Sequence, residues 1–210
     1  MIRNRLSGLF AAVAVASLSL TLGCGETPLP TSQPPGPGPG PGPGPGNPPE
    51  LPPAPPTTVL IVDDVDSENA GQSEPNFTDF TFWDVVVPCV DLHGPGGVNP
   101  LPGNGLYIDM DGTCGQAGTL ESKQVFELHP ADWRLELIAA GNSQQTGTDS
   151  MLISVGSNEW MLILVDTVNF AQYDYNFTLT DSTSAKIRIE HYGNDEQGIL
   201  VDAVRLRFIE

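Results

Sequence analysis

Residues 133–140 read Trp-Arg-Leu-Glu-Leu-Ile-Ala-Ala, and residues 200–208 read Leu-Val-Asp-Ala-Val-Arg-Leu-Arg-Phe. Trp133, Leu135, Leu137 and Ala139 hold one phase of the first stretch, and Leu200, Val204, Leu206 and Phe208 hold one phase of the second. Successive side chains of a strand point to opposite faces, so this spacing predicts strands with one face in a core. Working outward, short apolar or alternating runs recur at Val59–Val62, Phe80–Leu92, Leu106–Met110, Val125–Leu128, Met151–Val155, Trp160–Val165, Tyr173–Leu179 and Ala185–Tyr192. Turn-forming clusters separate them, among them Gly94-Pro95-Gly96-Gly97, Gly141-Asn142, Gly156-Ser157-Asn158 and Gly193-Asn194-Asp195. No window keeps a helical apolar stripe for three turns, which excludes crossover helices. Residues 57–210 therefore read as an all-β domain, an antiparallel β-sandwich of jelly-roll type.

The rest of the chain has a different composition. It carries 23 glycines and 21 prolines in 210 residues, and 15 of those prolines fall in residues 24–56. Every aromatic residue except Phe10 lies beyond that segment. Pro35 to Gly46 alternates proline and glycine with period two, which cannot make a collagen triple helix. Proline removes amide donors and glycine maximises chain entropy, so residues 24–56 are expected to be a disordered tether. The formal net charge is -18, from 8 Lys+Arg against 26 Asp+Glu, and two of the basic residues are Arg3 and Arg5. A basic footprint for nucleic acid is missing, and nucleic-acid binding is excluded.

Arg3 and Arg5 precede an apolar stretch from Leu9 to Leu22, followed by Gly23 and Cys24. A basic start, a short apolar run and a small residue describe a secretory signal over residues 1–23, too short to span a membrane. Leu20-Thr21-Leu22-Gly23-Cys24 resembles a bacterial lipobox, with Thr21 where that motif favours leucine. The resemblance implies lipidation at Cys24, export, and a membrane attachment through a lipid anchor at the bacterial cell envelope, most simply at the outer membrane. The alternative is an ordinary secretory signal with an incidental cysteine.

The folded part also resembles a family. Phe82-Trp83-Asp84-Val85-Val86, Val90-Asp91-Leu92-His93-Gly94, Gly105-Leu106-Tyr107-Ile108-Asp109-Met110-Asp111-Gly112, Leu135 to Asn142 and Gly198 to Leu206 occur in this order. In that order they are similar to the galactose-binding-like sandwich of bacterial choice-of-anchor surface proteins and plant DUF642 proteins. That family's early Asn-Gly-x-Phe-Glu segment has no match, and Asp202-Ala203-Val204 stands where its closing motif reads Asp-Asp-Val. What the resemblance implies is a non-catalytic extracellular module that binds polysaccharide or envelope glycan. The alternative is a structural or adhesive lipoprotein whose partner is another protein.

Few residues offer chemistry. Cys89 and Cys114 remain once Cys24 is lipidated, and an exported context permits a disulfide between them; as two free or metal-binding thiols they would make an incomplete zinc site. Asp202 lies in an apolar strand and needs a cation, a basic partner or a proton. Related galactose-binding-like modules carry a structural calcium between the last strand and the domain's start, where this chain has Asp63, Asp64, Asp66 and Glu68. The competing account makes that run a solvated turn. It is no EF-hand, since Asn69 occupies the position of the loop's glycine. For sugar stacking the candidates are Tyr173 and Tyr175 on one strand face, with Trp160 and Tyr192; the competing account places them in the core, where Trp83 and Trp133 are expected to be. Asp109-Met110-Asp111-Gly112-Thr113 has the form of a phosphatase nucleophile strand, but the helices that chemistry needs are absent and a strand ending in a turn is expected. His93, His129 and His191 form no recognisable triad and are expected to be solvated or locally bonded.

Overall fold

The computed structural model describes residues 51, 59–142, 147–193 and 196–209. The signal segment, Cys24 and the tether apart from Leu51 lie outside the described residues.

In chain order the strands are β1 (Val59–Asp63), β2 (Trp83–Val87), β3 (Asp91–His93), β4 (Tyr107–Asp109), β5 (Thr119–Ser122), β6 (Phe126–Leu128), β7 (Ala131–Ala140), β8 (Thr148–Val155), β9 (Asn158–Val165), β10 (Ala171–Leu179), β11 (Thr183–Ala185), β12 (Ile187–Tyr192) and β13 (Leu200–Ile209). They form a six-stranded sheet in the order β10-β7-β13-β4-β3, with β1 also on β13, and a five-stranded sheet in the order β2-β5-β12-β8-β9. A two-stranded pair, β11-β6, completes the set. All the strand pairs are antiparallel. The all-β antiparallel sandwich expected from the sequence is the observed architecture.

The core lies between the two sheets. From β7 it takes Trp133, Leu135, Leu137 and Ala139, and from β13 Val201, Val204 and Leu206. From the facing sheet it takes Trp83, Leu120, Met151, Ile153, Val155, Ile187 and Ile189. Trp83 and Trp133 are each 1% exposed, so both are core as expected. The run Phe80–Leu92 divides into β2 and β3. Pro88 has no amide to donate, and Cys89 takes a positive φ of 108°, which turns the chain from one sheet to the other. Cys89 and Cys114 form the expected disulfide, with Cα atoms 5.4 Å apart, joining this crossing to the turn after β4.

One detail of β13 departs from simple alternation. The ladder to β7 pairs Val201 with Ala139 and Ala203 with Ile138, so Asp202 is an extra residue in a bulge. Strict period two puts Asp202 on the face of Val204, Leu206 and Phe208; the bulge shifts the phase instead. Val201 and Val204 both face the core, and Asp202 with Ala203 faces the outside of the six-stranded sheet.

Candidate functional site

The bulge decides where the site lies. Along the edge away from β7, β13 pairs first with β4, at Leu200 and Val201, and then with β1, from Val204 to Arg207. Asp202 falls in the gap between these two partners. A cavity of about 450 Å³ opens there, lined by Asp64, Asp66 and Asp202, by Gly103, Asn104 and Gly105, and by apolar Leu51, Val62, Ile138 and Ala203.

Loop and strand are held together across this cavity. The Leu106 amide donates to Asp66 Oδ1 at 2.7 Å, and Asn104 Nδ2 donates to the Leu101 carbonyl at 2.6 Å. Gly105 has a φ of +64°, and a Cβ on it would lie 2.0 Å from Asp66 Oδ1, so glycine is required on both counts. Asp202 is 7% exposed, and no ion pair reaches it among the described residues. The nearby arginines are committed elsewhere: Glu136, 1% exposed, accepts from Arg205 Nε and, at 2.9 Å, from Arg207 Nε. Burial, and then the charges of Asp66 and Asp64, push the Asp202 carboxyl up to about 8.

Of the acidic residues singled out in the sequence, the fold brings Asp64, Asp66 and Asp202 to one cavity and turns the other two away. Asp63 accepts from Trp83 Nε1 at 2.5 Å and from the Val65 amide at 3.1 Å, inside the sandwich. Burial raises its carboxyl against these two hydrogen bonds. Glu68 accepts from the Thr81 amide at 2.7 Å and from its hydroxyl at 3.2 Å. The cavity offers side-chain oxygens from three chain segments, at Asp64 and Asp66, at Asn104 and at Asp202, and neither histidine nor thiol, the donor chemistry a hard cation such as calcium selects. Its carboxylates are not drawn together as they stand: among the described residues no three acidic, histidine or cysteine side chains are set to hold a metal ion.

The aromatic candidates separate. Tyr173 and Tyr175 are half-buried against the core, and Trp160 stacks on Tyr175 at 5.3 Å and on Phe177 at 5.6 Å, between the sheets at the β9/β10 edge. Burial raises the Tyr173 phenol and pushes that of Tyr175 up to about 12. Tyr192 is 45% exposed on the outer face of the five-stranded sheet, so these four rings make no single platform.

A second polar group lies inside the fold, at the end where β4, β7 and β13 meet. Asp109, 1% exposed, accepts from the Asp111 amide at 3.0 Å, the Gly198 amide at 2.8 Å and Asn142 Nδ2 at 2.8 Å, so one carboxylate ties three segments together. Burial pushes its carboxyl well above the ordinary range. Across the β3/β4 ladder, Asp91 accepts from the amides of Asn76 at 2.7 Å and Thr113 at 3.1 Å. Burial works to raise its carboxyl, but His93 and those amides outweigh it and the net shift is downward. His93 is 5% exposed between the two aspartates, and His191 is 2% exposed with Nε2 accepting from the Ile199 amide at 3.3 Å. Both are buried rather than solvated, because β3 and the end of β12 run into the interior; His129 is exposed, with its ring against Trp133 and Phe208. Asp109 and Asp111 thus brace a strand and the turn that ends it, as the sequence led one to expect. Sequence reading missed Asn142, whose visible signal was only a turn after a strand.

No protein-family model matches the chain, and no curated protein matches it. Solved structures resemble it in outline. A family CBM35 module from Paenibacillus barcinonensis is 11% identical, covering 65% of this chain and 98% of that one, with a TM-score of 0.40. The CBM22-1 xylan-binding domain of Xyn10C from the same organism is 8% identical over 72% of this chain and 95% of that one, at 0.46. A family 35 carbohydrate-binding module from Clostridium thermocellum is 16% identical over 64% and 97%, at 0.37.

Proposed function

We propose that this chain is a surface-anchored, non-catalytic binding module for polysaccharide, engaging its ligand in the cavity beside the β13 bulge. The observation that supports this is the mixture of oxygen-bearing and apolar side chains in one cavity lining. Asp64, Asp66, Asp202 and Asn104 line it together with apolar Val62, Ile138 and Ala203. A sugar ring offers the complement, hydroxyl donors on its rim and C–H groups on its face. The formal charge of -18 repels polyanions, so the ligand is a neutral glycan unless a cation intervenes. Calcium at Asp64, Asp66 and Asp202 is part of the proposal; it would neutralise the buried Asp202 and draw the carboxylates together. Lipidation at Cys24 supplies the attachment, through the tether, to the outer face of the bacterial envelope.

The test is retention of the full chain, carrying Cys24→Ser, on immobilised neutral and acidic polysaccharides, with calcium or with a chelator. Retention on a neutral glycan that falls at least tenfold with Asn104→Ala supports the proposal, and loss of retention in chelator supports its calcium part. Absence of retention on every glycan, with a protein captured by crosslinking, favours the adhesive alternative. Release of reducing sugar that disappears with Asp202→Asn would replace the proposal with a glycosidase, since a carboxyl held protonated near others is also what that chemistry uses.

A further inference from the structure

Strand β9 forms a free edge of the five-stranded sheet and pairs, among the described residues, with β8 alone. A free edge invites another strand, and folds blunt theirs by shortness, charge, proline or a bulge. The other edges carry such devices. Strand β3 has three residues, while β2 is broken by a register shift between Val85 and Val87, bears Asp84 and runs into Pro88. Strand β10 presents Gln172, Asp174 and Asn176. Strand β9 carries one at most, the single charge of Glu159 near its start. Its eight residues pair with β8 without a register shift and contain neither proline nor a basic residue. Its outward side chains are Met161, Ile163 and Val165, exposed by 51%, 61% and 47%.

The sequence of this edge is also complementary to itself. Reversed about Ile163, Met161 meets Val165 and Leu162 meets Leu164. The one charged side chain of the strand, Glu159, meets Thr167 and not a second carboxylate. In a chain of formal charge -18, this is an edge along which two copies approach without placing like charges opposite each other.

We propose that β9 is a dimerisation strand: two copies pair β9 with β9 antiparallel about a two-fold axis at Ile163, joining their five-stranded sheets into one. Self-pairing about a two-fold axis closes the interface and consumes both edges, so the assembly stops at two. Directly opposite residues of an antiparallel pair have Cα atoms roughly 4.5–5.5 Å apart, within disulfide reach.

Sedimentation velocity over a concentration series tests this on the full chain carrying Cys24→Ser, which removes both acylation and a competing thiol. A monomer–dimer equilibrium is expected, with the dissociation constant raised at least tenfold by Ile163→Lys, which sets two ammonium groups against each other, and unchanged by Val86→Lys on the β2 edge. Ile163→Cys should form a disulfide-linked dimer under mild oxidation, whereas Glu159→Cys should not. A chain that stays monomeric at high concentration, a dimer indifferent to Ile163→Lys, open-ended oligomers, or crosslinking as efficient at residue 159 as at 163 would each overturn the proposal. Circular dichroism of each variant separates loss of pairing from loss of fold.

Discussion

At the scale of single residues, Asp202 carries the most consequence. Its carboxyl is pushed up to about 8, so the fold favours the protonated form. The stability this contributes is complete below the ordinary value of 3.8 and is lost as pH rises from there through about 8. Asp202→Asn keeps the shape and removes the titration. In chelator, its melting temperature should match wild type near pH 4 and exceed it by several degrees at pH 8, a gap on the order of 2–4 kcal/mol. With calcium the order should reverse, because wild type gains a ligand-bound form and the variant does not. Identical pH profiles for the two proteins would show that Asp202 is solvated, and an order that persists in calcium would remove calcium from the cavity. The sequence marked Asp202 as an awkward carboxylate but assigned it to the wrong face. Alternation is a rule about paired residues, and nothing in Leu-Val-Asp-Ala-Val announces that one residue is unpaired. The same limit split the acidic run: Asp63 and Asp64 are neighbours in sequence, and neighbours in a strand point to opposite sides.

At the scale of elements, the crossing between the sheets is held by the Cys89–Cys114 bridge, which closes a loop of 25 residues containing β3 and β4. In the chain-entropy account such a loop stabilises by about 3 kcal/mol, through the unfolded state. Replacing both cysteines by serine should lower the unfolding free energy by roughly that amount in urea, with a modest rise in the slope because the unfolded chain is less compact without the bridge. A loss below about 1 kcal/mol would show that the bulge, Asp91 and Asp109 suffice to hold the crossing. Most strands were legible because their apolar periods are long: β7, β8, β9, β10, β12 and β13 all fall where alternation or an apolar run places them. The short strands were less so. Buried on both faces, β3 and β4 carry no alternation to read, and β11 is only three residues paired with β6. Trp160, Tyr173 and Tyr175 show a related ambiguity. Aromatics at an edge between sheets have the same spacing whether they face a ligand or a core, and here they pack on the core.

At the scale of the whole molecule, charge is the dominant property. Cleavage before Cys24 would remove Arg3 and Arg5 and leave six basic side chains against all 26 acidic ones. Self-repulsion of this size destabilises the compact state and is screened by salt, with a Debye length falling from about 30 Å at 0.01 M to about 10 Å at 0.1 M. Melting temperature should therefore rise by a few degrees between those sodium chloride concentrations, and dimerisation through β9 should tighten over the same range. A flat or falling response would mean that the acidic groups are already paired with bound cations. Charge and composition were the most readable part of this protein, since neither depends on register, whereas the cavity depended on one bulge and could not be read without the fold.

The antiparallel pairing of β1 with β13 has a mechanical side. From Val59, β1 leads within a few residues to Asp64 and Asp66 at the cavity. On the proposed function, a pull on β1 from its N-terminal end against a ligand held there is shared between β1 and β13, whose Asp202 also lines the cavity. The backbone hydrogen bonds from Val59 to Asp63 lie across that line of force, so they are loaded in parallel and must fail together. Bonds loaded together resist a pull far better than bonds opened one at a time, and the tension passes through them into β13 and its sheet.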